Sequence, residues 1–148
     1  MSDRIQKEVV LRAPLARVWS ALSDPAKFGA WFGAKLSGAF VEGSVTRGQI
    51  TIKGFEHVLL EMAVVRLEPE RYFAYRWHPY AIDSKVDYSS EPTTLVEFRL
   101  EPAADGTKLT ITESGFDKIP EARRAEAFRM NDGGWSAQAE KIARYVAE

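Results

Sequence analysis

Six consecutive segments of this chain alternate with a period of two, and the residues after them switch to a helical period. Lys35–Phe40, Ser44–Ile52, His57–Leu67, Arg71–His78, Thr93–Glu101 and Thr107–Ser114 all read as strands. The breaks between them carry turn residues: Glu42-Gly43, Lys53-Gly54, Pro69-Glu70, Pro102 and Asp105-Gly106. Connections this short favour antiparallel neighbours. One connection is different. Pro79 to Pro92, "PYAIDSKVDYSSEP", is a longer polar loop, and loops of that length tend to be functional or mobile. Ahead of the run, Ile5 to Arg12 reads as a further strand. Val18, Trp19 and Leu22 then mark a short amphipathic helix after Pro14, and "SDPAKFGAWF" marks a second. Strands grouped together with helices at the ends predict an α+β fold, with the helices on one face of an antiparallel sheet. A curved sheet around one long helix can enclose a cavity between them.

The long helix contains a contradiction at "NDGGW". Asn131, Asp132, Gly133 and Gly134 are turn residues, yet Phe128, Trp135, Ala139, Ile142 and Val146 keep one stripe through them. From Phe128 to Trp135 is two helical turns, a register that an intervening loop would break. The phase predicts one continuous helix, open to a kink at the glycines, with Trp135 pointing into the sheet. The two glycines are expected where bulk would collide with the sheet or a ligand, so they mark a thinned waist beside the cavity.

"APLARVWSALSDPAKFGAWF", "LEPERYFAYRW", "TTLVEFRLEPAADGTKLTITESGF" and "GGWSAQAEKIARYV" occur in the order typical of the Hsp90 ATPase activator-like family. That family belongs to the START/Bet v 1-like (SRPBCC) superfamily. The resemblance covers nearly the whole chain, and it is the set of segments that is specific. It implies a helix-grip fold: a seven-stranded curved antiparallel sheet around the C-terminal helix, two short helices between the first two strands, and a deep, mostly apolar pocket. One domain spanning residues 1–148 is expected. The resemblance does not imply one activity, because members include lipid and polyketide binders, cyclases, aromatases and chaperone activators.

Glu113 is the most informative polar residue. In "TKLTITES" it shares parity with Leu109 and Ile111, so it continues a row that faces the core. A carboxylate there is costly unless it finds donors, and Asn131 on the overlying helix is the expected partner. Glu113 and Asn131 would then form a polar end to an apolar cavity. Glu61 sits among apolar residues of both parities, so its face is open and it is a second carboxylate candidate. Glu97 and Arg99 read as a solvated outer face. Only two histidines are present, His57 and His78, both at strand ends, which excludes a multi-histidine metal site. His78 is the better functional candidate because "RWHPY" leads into the long loop; otherwise each is satisfied by backbone or water. Phe73, Tyr75 and Trp77 share one strand face, while Trp31, Phe32, Phe116, Phe128 and Trp135 come from helices and loops. Aromatic walls of this kind suit both a core and a pocket. The candidate ligand-binding set is therefore Trp31, Phe32, Tyr75, Trp77, His78, Glu113, Phe116, Phe128, Asn131 and Trp135. Glu113 and His78 are the candidate acid–base residues.

The chain has no phosphate-cradling glycine loop and no nucleophile elbow. It has no cysteine, and its net charge of -1 gives no reason to expect nucleic acid. The arginines of "EARRAEAFR" alternate with glutamates and read as a solvated helix face. No apolar run is long enough to insert in a membrane and no secretory signal is evident, so a cytoplasmic location is expected. No cofactor or metal is expected. The preferred reading is a module that binds a small hydrophobic or aromatic molecule, lipid- or polyketide-like. An acid–base enzyme of the cyclase, aromatase or hydrolase type is the first alternative, and a chaperone-interacting protein the second. A homodimer through a strand edge or the long loop is left open.

Overall fold

In the computed structural model, which describes residues 4–147, seven strands form one antiparallel sheet in the order β1-β7-β6-β5-β4-β3-β2. They are β1 (Arg4–Leu11), β2 (Ala34–Ser37), β3 (Val45–Ile50), β4 (Leu59–Glu68), β5 (Tyr72–Trp77), β6 (Thr94–Ala103) and β7 (Gly106–Ser114). Helices α1 (Leu15–Ser23) and α2 (Pro25–Phe32) lie between β1 and β2, and α3 (Glu121–Val146) closes the chain. This is the helix-grip architecture.

Local chemistry explains the helix boundaries. Asp24 caps α2 by accepting from the Ala26 and Lys27 amides at 2.9 and 3.3 Å, with Pro25 at the first helical position. Gly33 ends α2 in the left-handed region at φ 101°, which a side chain would resist. The strand Lys35–Phe40 is shorter than its alternation suggests. The chain leaves the sheet after Ser37, yet Phe40 still turns inward, its ring 4.9 Å from Phe73. Likewise β4 begins at Leu59, which leaves His57 in a turn.

One inward row runs straight across the sheet. Register pairs Val64 with Tyr75, Tyr75 with Val96, Val96 with Glu113 and Glu113 with Ile5. Every residue in that row is almost wholly buried, so Glu113 sits in the core face as its parity requires. Above the row the core is aromatic. Phe28, Phe73 and Phe98 lie ring to ring, and Phe98 meets Trp135 of α3 at 5.8 Å.

Helix α3 is continuous through Gly133 and Gly134, as its stripe predicts, and Trp135 is buried against the sheet. The explanation offered for the glycines fails. Both are exposed, and nothing lies within 4 Å of a Cβ built at either position, so neither thins the helix against the sheet or a cavity. The buried stripe turns away from them. Without a steric reason for glycine, Gly133→Ala and Gly134→Ala should each stabilise the protein by about 1 kcal/mol, read from urea denaturation midpoints. Unchanged or lowered midpoints would mean that these positions need glycine for another purpose.

Candidate functional site

Glu113 is fully buried, and four side chains from three elements donate to it. Trp77 Nε1 at the end of β5 and Thr94 Oγ1 at the start of β6 reach Oε2 at 2.8 and 2.5 Å. From α3, Trp135 Nε1 reaches Oε1 at 2.8 Å, and Asn131 Nδ2 spans both oxygens at 3.0 and 3.2 Å. The expected pairing of Glu113 with Asn131 is therefore present, one turn ahead of Trp135. Lys7 of β1 meets Asp132 at 3.0 Å alongside, which ties the same turn of α3 to the sheet.

Burial and hydrogen bonding oppose each other here. Loss of water raises the Glu113 pKa, while the donations from Thr94, Trp77, Trp135 and Asn131 lower it; burial wins and the net shift is upward. The folded chain then holds this proton more tightly than the unfolded chain. Stability contributed by Glu113 is present at low pH and is lost as pH rises from the ordinary value of 4.5 through the raised folded value. Thermal unfolding across that window should show this falling slope in the native protein and a flatter one in Glu113→Gln. Superimposable profiles would show that Glu113 titrates as it does when unfolded.

Tyr75 adds a second polar feature to the same row. Its hydroxyl is buried and has no hydrogen-bond partner among the described residues, and burial followed by the Glu113 charge pushes its pKa well above 10.0. An unpartnered buried hydroxyl costs about 1–3 kcal/mol, so it is an exception that calls for a reason. Tyr75 stands edge-on to Trp77 at 5.4 Å, and Trp77 lies 5.8 Å from Trp135. Phe32 contacts both tryptophans at 6.1 Å. The expected site residues Phe32, Tyr75, Trp77, Glu113, Asn131 and Trp135 thus converge.

Others do not. Trp31 donates to the Ala21 carbonyl at 2.8 Å and fastens α2 to α1. Phe116, in a single 3-10 turn after β7, pairs edge-on with Phe128 at 5.1 Å, and neither makes a ring contact with Trp77 or Trp135 among the described residues. His78 Nε2 lies 3.1 Å from the Glu91 carbonyl and His57 Nε2 lies 2.8 Å from that of Ile82. Both histidines fasten the loop 79–92, because a carbonyl oxygen can only accept and each ring must donate to it. Glu61 faces solvent and pairs with Arg47 at 2.8 Å, so it is not a second interior carboxylate. Glu97 lies on the outer face but is not solvated. The Tyr72 hydroxyl donates to it at 2.5 Å and Arg99 at 3.1 Å, and burial with that bond pushes the Tyr72 pKa up to about 12.

Three contacts had no signal strong enough to be read in advance. Thr94 shares the inward parity of Val96 and Phe98, which marks it in retrospect as Glu113 is marked. Arg123, expected on a solvated face, is largely buried. It donates to Glu91 Oε1 at 2.9 Å and to the Pro79 carbonyl at 2.8 Å, and its guanidinium lies over the Tyr88 ring at 4.8 Å. It clamps both ends of the loop 79–92 to the first turn of α3. Gln138 and Lys141 converge on the Phe32 carbonyl at 3.0 and 2.9 Å, which closes the end of α2. Arg123→Gln should speed amide hydrogen exchange in residues 79–92 about tenfold, a loss of roughly 1.5 kcal/mol of charged hydrogen bonding, with β5–β7 unaffected. Uniform acceleration across the sheet would contradict a local clamp.

Among the described residues the deep pocket that the resemblance implies is not an open chamber, since aromatic rings meet between the sheet and α3. Two surface depressions, of about 570 and 480 Å³, lie at the opposite end of the strands from Glu113. One is bounded by Arg12–Pro14 and Asp105, the other by Pro69–Tyr72 and Arg99–Pro102. Among the described residues no group of three or more metal-ligating side chains converges, and no helix is long and apolar enough to cross a membrane.

Solved structures share this fold. DynU16, a protein of the dynemicin biosynthetic locus, is 25% identical with a TM-score of 0.76 over 99% of this chain. The chain spans about half of DynU16, 48% of its length. MLL2253 from Mesorhizobium loti is 22% identical with a TM-score of 0.76, covering 97% of this chain and 96% of that one. The Aha1 dimer from Colwellia psychrerythraea is 17% identical with a TM-score of 0.71, covering 97% and 95%. No curated protein sequence matches. The model of one family, described as activator of Hsp90 ATPase homolog 1-like protein, matches residues 12–147, and the chain belongs to that family, within the START/Bet v 1-like superfamily.

Proposed function

We propose that this protein binds a small, neutral, hydrophobic or aromatic molecule between the sheet and α3, at the Glu113 end of the strands. The observation that carries this reading is the buried carboxylate itself, set in an aromatic interior and held by Trp77, Thr94, Asn131 and Trp135. An apolar cluster in place of the carboxylate and all four of its donors would serve stability there as well or better. An interior carboxylate has a use when a ligand must be oriented, because it fixes where a donor group can go. Trp77 is half-buried beside the loop 79–92, so it is the wall that can give way. A ligand hydroxyl or N–H can replace its indole on Oε2 without leaving the carboxylate unpaired. The aromatic rings then exchange contacts with one another for contacts with the ligand.

Binding is favoured over acid–base catalysis for a geometric reason. Both oxygens of Glu113 are occupied by donors, and His78 is engaged with the loop rather than directed at Glu113. The occurrence of DynU16 in a biosynthetic locus supports a small-molecule setting. Native mass spectrometry on protein purified from its own source should show a small-molecule adduct at one copy per chain, lost in Glu113→Gln. Recovery of a stoichiometric protein partner in its place would overturn the proposal.

A further inference from the structure

We infer that the Tyr75 hydroxyl is a second polar contact of this interior site, and that it selects neutral ligands carrying a carbonyl or ether oxygen. The inference rests on the binding reading above and specifies its ligand class. Tyr75 is fully buried, yet its hydroxyl has no partner among the described residues. Phenylalanine would fill the same place without a polar group to satisfy, and Phe73 and Phe98 do so beside it.

The chemistry of the row sets what the ligand must offer. Register places Tyr75 and Glu113 on either side of Val96, facing the same layer. Glu113 takes only donors while ionised, so a ligand oxygen that lacks a proton has no place on it. Tyr75 keeps its proton, held there by burial and by the Glu113 charge, and so has a hydrogen bond to give. The group it can satisfy is an acceptor. A carboxylate is a poor one here, because burying an anion near Glu113 costs both desolvation and repulsion. A ketone, aldehyde or ether oxygen on an aromatic body meets both conditions, its rings lying against Trp77 and Phe98. The hydroxyl of Tyr75 donates, the ligand oxygen accepts, and no bond is made or broken.

4-Hydroxyacetophenone and 4-isopropenylphenol test this directly, since both carry a hydroxyl for Glu113, match in shape and differ in C=O against C=CH2. Titrations followed by NMR on the full chain should show 4-hydroxyacetophenone binding about tenfold tighter than 4-isopropenylphenol, the worth of one satisfied buried hydroxyl. In Tyr75→Phe the preference should vanish with 4-isopropenylphenol affinity unchanged. Equal affinities in the native protein, or a preference that survives Tyr75→Phe, would overturn the inference and leave the binding proposal standing. Binding of neither probe would count against both. Ligand-free Tyr75→Phe should unfold at the same temperature as the native protein or higher. A drop of several degrees would show that the hydroxyl already has a partner inside the fold, and would also overturn the inference.

Discussion

Glu113→Ala should destabilise the folded protein by roughly 3–5 kcal/mol, the largest effect of any single polar substitution in the chain. The carboxylate accepts from Trp77, Thr94, Asn131 and Trp135, and among the described residues none of these groups donates to another acceptor. Truncation leaves four buried or half-buried donors facing each other. Each orphaned donor costs about 1–3 kcal/mol, partly offset because a buried charge no longer has to be desolvated. Glu113→Gln keeps the volume and one acceptor oxygen but turns an NH2 toward donors, so a smaller loss of about 1–3 kcal/mol is expected. Chemical denaturation of both variants measures this. A Gln variant as stable as the native protein would mean that the carboxylate is not the hub of the network.

Trp135→Ala should cost a comparable 3–5 kcal/mol, for a different reason. The indole is buried, meets Phe32, Trp77 and Phe98 at about 6 Å between ring centres, and donates to Glu113. It is where α3 is anchored to the sheet, and removing it opens a cavity that rigid aromatic neighbours fill poorly. Trp135→Phe restores most of the packing and loses the donor, so about 1–3 kcal/mol should remain. Because that residual is the bond to Glu113, Trp135→Phe combined with Glu113→Gln should cost less than the sum of the two, by about 0.5–3 kcal/mol. Strict additivity would separate the helix anchor from the carboxylate.

These two residues also mark how far the sequence could be read. Glu113 was legible because a strand has a period of two: once Leu109 and Ile111 face inward, Glu113 must as well. Trp135 was legible because the helical phase runs unbroken from Phe128 to Val146. Asn131 as a partner of Glu113 follows from placing that helix over the sheet, whereas the indole's own bond to the carboxylate had no signal in the sequence. What failed was the inference from residue type to surroundings. Gly133 and Gly134 looked like a close approach, but smallness in a helix does not tell which side is crowded, and theirs is open. Arg123 looked solvated because helix neighbours of opposite charge normally pair with each other. Its partners, Glu91 and the Pro79 carbonyl, come from a loop with no periodic signal to place it. Glu61 had apolar neighbours on both parities, so only the sheet register could assign its face, and the register turns it outward toward Arg47. The filled interior was not legible either, since the residues that line a pocket and those that close it are of the same kind.

The two histidines and Arg123 acquire a shared role from this geometry. All three hold the loop 79–92, which begins two residues after Trp77. The clamp therefore bears on the side chain whose displacement would admit a ligand. Mobility of this loop and access to Glu113 are expected to change together, and this links the exchange behaviour of Arg123→Gln to binding.

The four tryptophan indoles offer the most direct test of the central claim, because each has a distinct place in the fold. Trp77 and Trp135 donate to Glu113, Trp31 donates to the Ala21 carbonyl, and Trp19 lies half-buried on α1. Titrating 4-hydroxyacetophenone, which carries a hydroxyl for Glu113, into nitrogen-15-labelled protein should move the Trp77 and Trp135 indole N–H resonances together and saturably, with Trp19 and Trp31 nearly still. Indole signals that stay fixed at saturating ligand, or that move only at Trp19, would contradict a binding site at Glu113.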